Sequence, residues 1–425
     1  MSLKVPQWSL ERPHITKSYL HPQFKHQEKS RSRPFRAVPD EEKERVVCED
    51  LLNALLGFEG QYITTNMQGS SGKVAFKVDP DIDKPLADLI ERHLPLCSYH
   101  VFISQYVAKY SRYEWGLVAQ AFAAAVDAVL KEYMILIGKL EDQVRTQDAF
   151  SLQKLWYHLQ PAAHNMHTLY SICRQADALT TVGGGMLQLL YQTSTELGGD
   201  AQTKALIDFL LEKATAPYFE MLEMWLYQGC INDPRGEFLI EEQPHYKKEH
   251  MATEYAANYW EQRYIVRSEM FPAFLHPYSK KILMTGKYLN VIRECGQDVL
   301  SPYKDKIEYM HHHREYGAKI DQAYDFARQQ LLHLILEEEH LLLRFASLKH
   351  YFFLDRGDFF VHLINTAEEE LVKTADDISL HKLEHLLEHA IRTSTTVQDQ
   401  FHTDVSCELQ ANSLPNSLRR ITSKT

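Results

Sequence analysis

The run from Gly116 to Arg145 constrains the fold more than any other stretch. Leu117, Ala121, Ala125, Val129, Tyr133, Leu136 and Leu140 recur there every three or four residues. That spacing places side chains on one face of an α-helix through about eight turns. Such a helix buries its apolar stripe against a neighbouring helix. The small residues from Ala121 to Ala125 allow such a partner to come close.

The remaining chain has the same character. Asp40 can cap a helix from Glu41 to Leu56, and Val46, Val47, Leu51, Leu52 and Leu55 share its face. The spacing predicts further helices over Ser151–Ala176, kinked at Pro161, and over Met186–Leu197. Asp200–Gln228 reads as two helical pieces meeting near Pro217, and Glu237–Glu241 as a short extended piece. His250–Ser268, Phe271–Glu294, Tyr316–Leu354 and Asp377–Thr395 complete the set. The Gly-bounded, alternating stretches around Phe58 and over Val74–Val78 suggest a hairpin. The fold class expected is all-α: an elongated array of helical bundles with at most one small β-hairpin, near residues 58–78. Residues 1–40 form an irregular basic arm in which Pro6, Pro13, Pro22, Pro34 and Pro39 recur. A helical domain follows over 41–403, with a sub-boundary near 240–250, and a polar, disordered tail over 404–425.

Composition narrows the function. The formal net charge of −11 argues against binding nucleic acid through phosphate neutralisation. No apolar run approaches the roughly 20 residues of a membrane span, so no membrane role is expected. Nor is a secretory signal, since the N-terminus has no apolar core segment. Six cysteines without a CxxC pair read as reduced, mostly buried thiols of a cytoplasmic protein.

Catalytic patterns are sparse. HKLEHLLEH, from His381 to His389, contains HxxEH twice, and histidines four apart on a helix can share a zinc ion while Glu384 activates a water. Such a site needs a third protein ligand, usually well downstream, and the run is also amphipathic. His381, His385 and His389 therefore read as a polar helix face, with a zinc hydrolase as the competing reading. The consecutive His311, His312 and His313 cannot all face one ion. Gly72–Lys73 fails as a phosphate loop, because Met67 and Val74 stand where glycine and a hydroxyl residue are required. The glycines at 183–185 have no preceding strand to make a dinucleotide turn. No enzyme activity and no cofactor are expected.

Three longer stretches carry more information: WLYQGCINDPRGEFLIEE from Trp225, KKILMTGKYLNVIRECG from Lys280, and LKHYFFLDRGDFFVHL from Leu348. Gly229 can end a helix in the left-handed conformation. Asp233 and Pro234 can start the turn that returns Phe238 to the bundle. Gly286, next to Lys287, lets another backbone approach, and Asn290 can hydrogen-bond across that contact. Gly357 and Asp358 break a long helix before Phe359. In this order the stretches resemble the N-terminal grip domain of the gamma-tubulin complex component family, from about residue 5 to residue 403. SLQKLWYHLQPA and APYFEMLEMWLYQG set the chain on one branch, apart from component 3 and the larger members.

The resemblance implies a non-catalytic scaffold subunit of the gamma-tubulin complex that supports microtubule nucleation. Its N-terminal half would pack laterally against component 3 and other family members, and gamma-tubulin would join through the complex. It implies residence in the cytoplasm and cytoskeleton, at the centrosome or another microtubule-organising centre and the spindle pole. Family members continue well beyond the matched region, so a shortened form lacking the gamma-tubulin-binding half is expected. A free-standing helical adaptor is the other reading.

Overall fold

The computed structural model describes residues 35, 38–68, 73–146, 150–179, 182–243, 256–297, 301–303, 305–309, 315–353, 355–373 and 377–408. They form two compact units divided between Ala327 and Arg328. The first is built of α1 (Asp40–Leu55), α2 (Lys84–Glu91), α3 (Leu94–Tyr110), α4 (Leu117–Thr146), α5 (Leu152–Leu179), α6 (Gly184–Glu196) and α7 (Ala201–Gln228). After them come α8 (Ala256–Gln262), α9 (Ser279–Glu294) and α10 (Glu315–His333), which carries the division. The all-α expectation holds.

α4 is the spine of the first unit. It packs most extensively on α7 and also meets α3 and α1. Its buried line is Val118, Phe122, Val126, Leu130, Tyr133, Ile137, Leu140 and Val144. It shares Tyr133 and Leu140 with the predicted line, whose Ala125 is also buried, while Leu117 is exposed and Ala121, Val129 and Leu136 are half-buried. From Leu117 to Val126 nearly every residue is apolar, so periodicity alone does not select between adjacent lines.

The predicted hairpin is present. Strand β1 (Ile63–Gln68) pairs antiparallel with β2 (Lys73–Val78), Ile63 opposite Val78. It is held to α1 by the buried Asp50 carboxylate, which accepts backbone N–H bonds from Gln61, Tyr62 and Ile63 at 2.7, 2.9 and 3.0 Å. Gly60 makes that approach feasible, since a Cβ there would lie 2.0 Å from Asp50 Oδ1. At the edge of the basic arm Phe35 is buried, edge-on to Tyr62 at 5.4 Å.

Three expectations are corrected. A second ribbon exists: β3 (Ile240–Glu242) pairs with β4 (Tyr264–Val266), so the helix foreseen to Ser268 ends at Gln262. The Tyr264-Ile265-Val266 triad favours extended backbone, and Arg263 pins the ribbon through its ion pair with Glu242 at 3.0 Å. Second, α7 runs unbroken through Pro217. The ring removes one backbone donor, but Leu211, Ala214, Tyr218, Phe219 and Leu222 are buried on both sides of it, and their packing outweighs the roughly 3 kcal/mol penalty. α5, expected as one helix, continues through Pro161.

The third correction lies in the second unit. The long helix foreseen over Tyr316–Leu354 breaks into a π-turn at Leu334–Glu338 and then α11 (Leu341–Phe352), with His340 between them at φ 49°. Glu337, Glu338, Glu339 and His340 offer no apolar side chain to keep the helix on a packing face. Beyond Gly357 the chain forms another helix, α12 (Gly357–Leu371), and then α13 (Leu380–Thr393). The core of this unit is Tyr351, Phe359, Leu387, Ala390 and Ile391, with Val405 and Cys407 of the predicted tail lying against it. Most of the basic arm, the His311–His313 cluster, residues 244–255 and residues 409–425 fall outside the described residues. All six cysteines are free thiols: Cys48, Cys97 and Cys173 buried, Cys230 and Cys407 half-buried, Cys295 exposed. No helix among the described residues is long and apolar enough to cross a membrane.

One buried group ties the first unit to pH. His100 on α3 is 5 % exposed, its ring 5.4 Å from that of Tyr133, and neither ring nitrogen has a hydrogen-bond partner among the described residues. Burial lowers its pKa from 6.5 to about 4. Between those values the unfolded chain takes up the proton and the folded chain does not, so stability falls as pH falls through this window, by up to roughly 3 kcal/mol. Thermal melts at pH 7.5 and 5 check this: the acid-induced drop should shrink in His100→Leu, and an unchanged drop would remove His100 as its source.

Candidate functional site

The signature residues of the first unit converge where α7 ends. Asp200 opens that helix, accepting N–H bonds from Gln202 and Thr203 at 3.1 and 3.3 Å, and Gly229 closes it at φ 64°. One turn earlier Trp225, fully buried, lays its indole on the backbone of α9. A Cβ at residue 286 would lie 2.0 Å from Trp225 Cε2, so glycine is required there. The indole Nε1 donates to the Ile282 carbonyl at 2.8 Å, and the ring stands edge-on to Tyr264 at 5.0 Å. The close approach foreseen for a backbone at Gly286 is thus made chiefly by a side chain. The Gly229 backbone follows beside it, since a Cβ at 229 would lie 3.2 Å from Gly286 O.

Asn290 fastens this contact. Its Nδ2 donates to the carbonyls of Gly229 and Gly286 at 2.8 and 2.9 Å, bridging the two helices with both amide hydrogens. Lys287, one turn earlier on α9, donates to the Glu261 carbonyl at 2.7 Å, and its burial pushes the ammonium pKa down.

The loop after α7 forms the second half of the knot. Asp233 accepts N–H bonds from Arg235, Glu237 and Phe238 at 3.3, 2.9 and 2.7 Å, a turn that exposed Pro234 starts. This turn drives Phe238 into the core, 5.8 Å from the ring of Tyr218. It also carries Glu237, which the sequence reading passed over. Its carboxylate, 2 % exposed, accepts the N–H groups of Leu117 and Val118 at 2.6 and 3.2 Å and so holds the first turn of α4. Burial raises its pKa, opposed by those same backbone donors. Gly116 at φ 97° leaves room for it, since a Cβ there would sit 2.3 Å from the carboxyl carbon. The Glu237 carbonyl in turn accepts the Gly184 N–H at 3.2 Å at the start of α6. The glycines at 183–184 are therefore a packing device of this loop.

In the second unit Gly357 opens α12, and the Asp358 carboxylate accepts the Thr395 N–H at 2.8 Å. The Thr395 donors hold its carboxyl below the usual range. Phe359 is buried edge-on to Tyr351 at 5.2 Å. His381, His385 and His389 are exposed on α13, and among the described residues no group of three His, Cys, Asp or Glu side chains is placed to hold a metal ion.

A model described as "Gamma tubulin complex component N-terminal" matches residues 48–338, and one described as "Gamma tubulin complex component C-terminal" matches 341–425. The chain is 41 % identical to gamma-tubulin complex component 2 of Mus musculus over 91 % of its own length and 43 % of that relative's. It is 40 % identical to gamma-tubulin complex component 2 of Arabidopsis thaliana, over 88 % of this chain and 56 % of the other. Spindle pole body component alp4 of Schizosaccharomyces pombe is 28 % identical over 90 % of this chain and 56 % of its own. The chain therefore spans about half the length of the relatives it matches.

The knot is testable as a unit. Gly286→Ala should lower stability by about 3 kcal/mol, because the indole must leave its seat. Trp225→Leu should also destabilise, but adding Gly286→Ala to it should cost far less than Gly286→Ala alone. A double-mutant cycle from denaturant melts measures this, and strict additivity would show that the two sites do not touch.

Proposed function

The chain belongs to the gamma-tubulin complex component family, and from that premise we propose that it is a non-catalytic helical scaffold subunit of the gamma-tubulin complex. It packs side by side with component 3 and other members, and gamma-tubulin joins through the assembled complex. The assembly templates microtubule nucleation at the centrosome or spindle pole, within the cytoplasm and cytoskeleton. The observation that carries this reading is the match of the two family models, in order, over residues 48–338 and 341–425.

The geometry supports a mechanical role. A subunit that sets the distance between neighbours needs long elements that do not slide. Here α4, α6, α7 and α9 are joined by buried contacts at Glu237, Trp225 and Asn290. Those signature residues act from inside, fixing where the outer helix faces stand, and the faces themselves make the lateral contact. Specificity in such an assembly comes from repetition of one geometry through many subunits.

Co-migration on a sizing column tests the reading. Mixed with full-length component 3, the chain should move into a common earlier peak. Gamma-tubulin should enter that peak when component 3 is present and stay apart from the chain when it is absent. A chain that elutes alone from every mixture would sink the proposal.

A further inference from the structure

One cleft of the second unit is lined by a carboxylate and a guanidinium that do not pair with each other. Its volume is about 270 Å³. Leu343, Ala346, Ser347 and His350 line it from α11, together with Arg356 and with Asp399 of the loop after α13. Asp399 is tied on one side only. Its Oδ1 accepts the Ser347 hydroxyl at 2.6 Å and the Phe401 N–H at 3.2 Å. Its Oδ2 is shielded from water and has no hydrogen-bond partner among the described residues. Arg356 donates from Nη1 to the Thr395 carbonyl at 2.7 Å, and no ion pair joins it to a carboxylate among the described residues. The acids near it in sequence are engaged elsewhere. Asp355 pairs with Lys349 and His350 at 3.5 and 3.0 Å, and Asp358 accepts the Thr395 N–H at 2.8 Å.

A carboxylate oxygen withdrawn from water without a donor is costly. Such atoms are rare enough in folded proteins that each points to strain, to a chemical role or to a bound group. The torsion that aims a carboxylate is broad, so a donor in the cleft can draw Oδ2 toward it. A simple cation would meet Asp399 and be opposed by Arg356 in the same small space, and a simple anion would meet the reverse. A molecule carrying both charges meets both groups. The cleft is smaller than the roughly 300 Å³ at which drug-sized pockets begin, so that molecule is small. Leu343 and Ala346 offer it an apolar wall.

We propose that this cleft binds a small zwitterion, an α-amino acid with a short aliphatic side chain. Its ammonium group meets Asp399, its carboxylate meets Arg356, and its side chain lies on Leu343 and Ala346. The guanidinium keeps further N–H groups for this purpose beyond the one given to Thr395, and its planar fork matches a carboxylate. Ser347 is a positioning residue, since its hydroxyl holds Oδ1 and so sets where Oδ2 stands. The site concerns the second unit alone. Failure of lateral association with component 3 would leave it standing, and its own failure would leave lateral association standing.

Titration calorimetry on the full chain tests this with L-valine as the probe. Isobutylamine and isobutyrate serve as controls, each carrying one of its two charges. Ligands of about eight non-hydrogen atoms bind on the order of millimolar, so the titration runs through and above that range. L-Valine should bind saturably at one site, and each control should bind at least about tenfold more weakly, the loss expected for one missing charged contact. Asp399→Asn and Arg356→Gln should each weaken L-valine by a similar factor. Both side chains also hold the loop, so Ala346→Leu is the deciding variant. It fills the cleft, leaves both charges in place, and should abolish binding while the helical melt stays unchanged. No saturable binding of L-valine overturns the proposal. Binding of isobutylamine or isobutyrate as tight as that of L-valine overturns it too, since one charge would then suffice. So does L-valine binding that survives Ala346→Leu, which would place the site elsewhere.

Discussion

Two long helices of the first unit meet where one of them lacks a side chain, and much else follows from that contact. With Gly286 under the ring, Trp225 sits close enough for its N–H to reach the Ile282 carbonyl, and the same proximity lets Asn290 span to Gly229. A buried indole left without an acceptor, or a buried amide left without its carbonyls, would each forfeit about 1–3 kcal/mol. A methyl group at 286 would open both at once. The steric fit and the hydrogen bonds therefore form one cooperative unit.

Glu237 performs the matching task in the loop that follows α7. The first N–H groups of a helix have no partner inside it, and at Leu117 and Val118 water is largely replaced by the loop carrying Glu237. A buried carboxylate is costly when unpaired, yet here it meets two donors and the positive end of a 30-residue helix. The opposing pulls on its pKa, burial upward and backbone donors downward, describe the same balance. Asp50 repeats the device with three donors at the hairpin. In both places a carboxylate on one segment fixes the backbone of another, and a neighbouring residue without a Cβ, Gly116 or Gly60, makes the room.

What could be read from the residues follows this division. Elements whose apolar side chains repeat at helical spacing, such as α4 and α5, were legible because periodicity reports amphipathicity directly. The expected line of α4 meets the buried one at Ala125, Tyr133 and Leu140 and misses it at Leu117 and Ala121, because Leu117 to Val126 is apolar almost throughout and packing selects among neighbouring lines. Pro217 was overread: local backbone chemistry argued for a break, and the dense burial on either side overrode it. The β3–β4 ribbon was missed because three-residue strands carry no period, and their pairing joins Ile240 to Val266 across the intervening chain. Within the knot, Gly229, Asp233, Gly286 and Asn290 were recognisable from turn and helix chemistry. Glu237 was not, because its donors lie about 120 residues away in sequence.

That the signature side chains lie inward bears on how such a chain can work. Trp225, Phe238 and Phe359 are buried, and Asn290 spends its amide on internal carbonyls, so a partner has little of them to touch. What they determine is the position of rods whose outward residues, Met134 and Ile135 on α4 among them, stay exposed. Stiffness of this kind tolerates change on the outer faces as long as the interior contacts hold, because rod spacing is set from within. The buried residues by which the family is recognised and the residues left exposed on the same helices are therefore largely different ones.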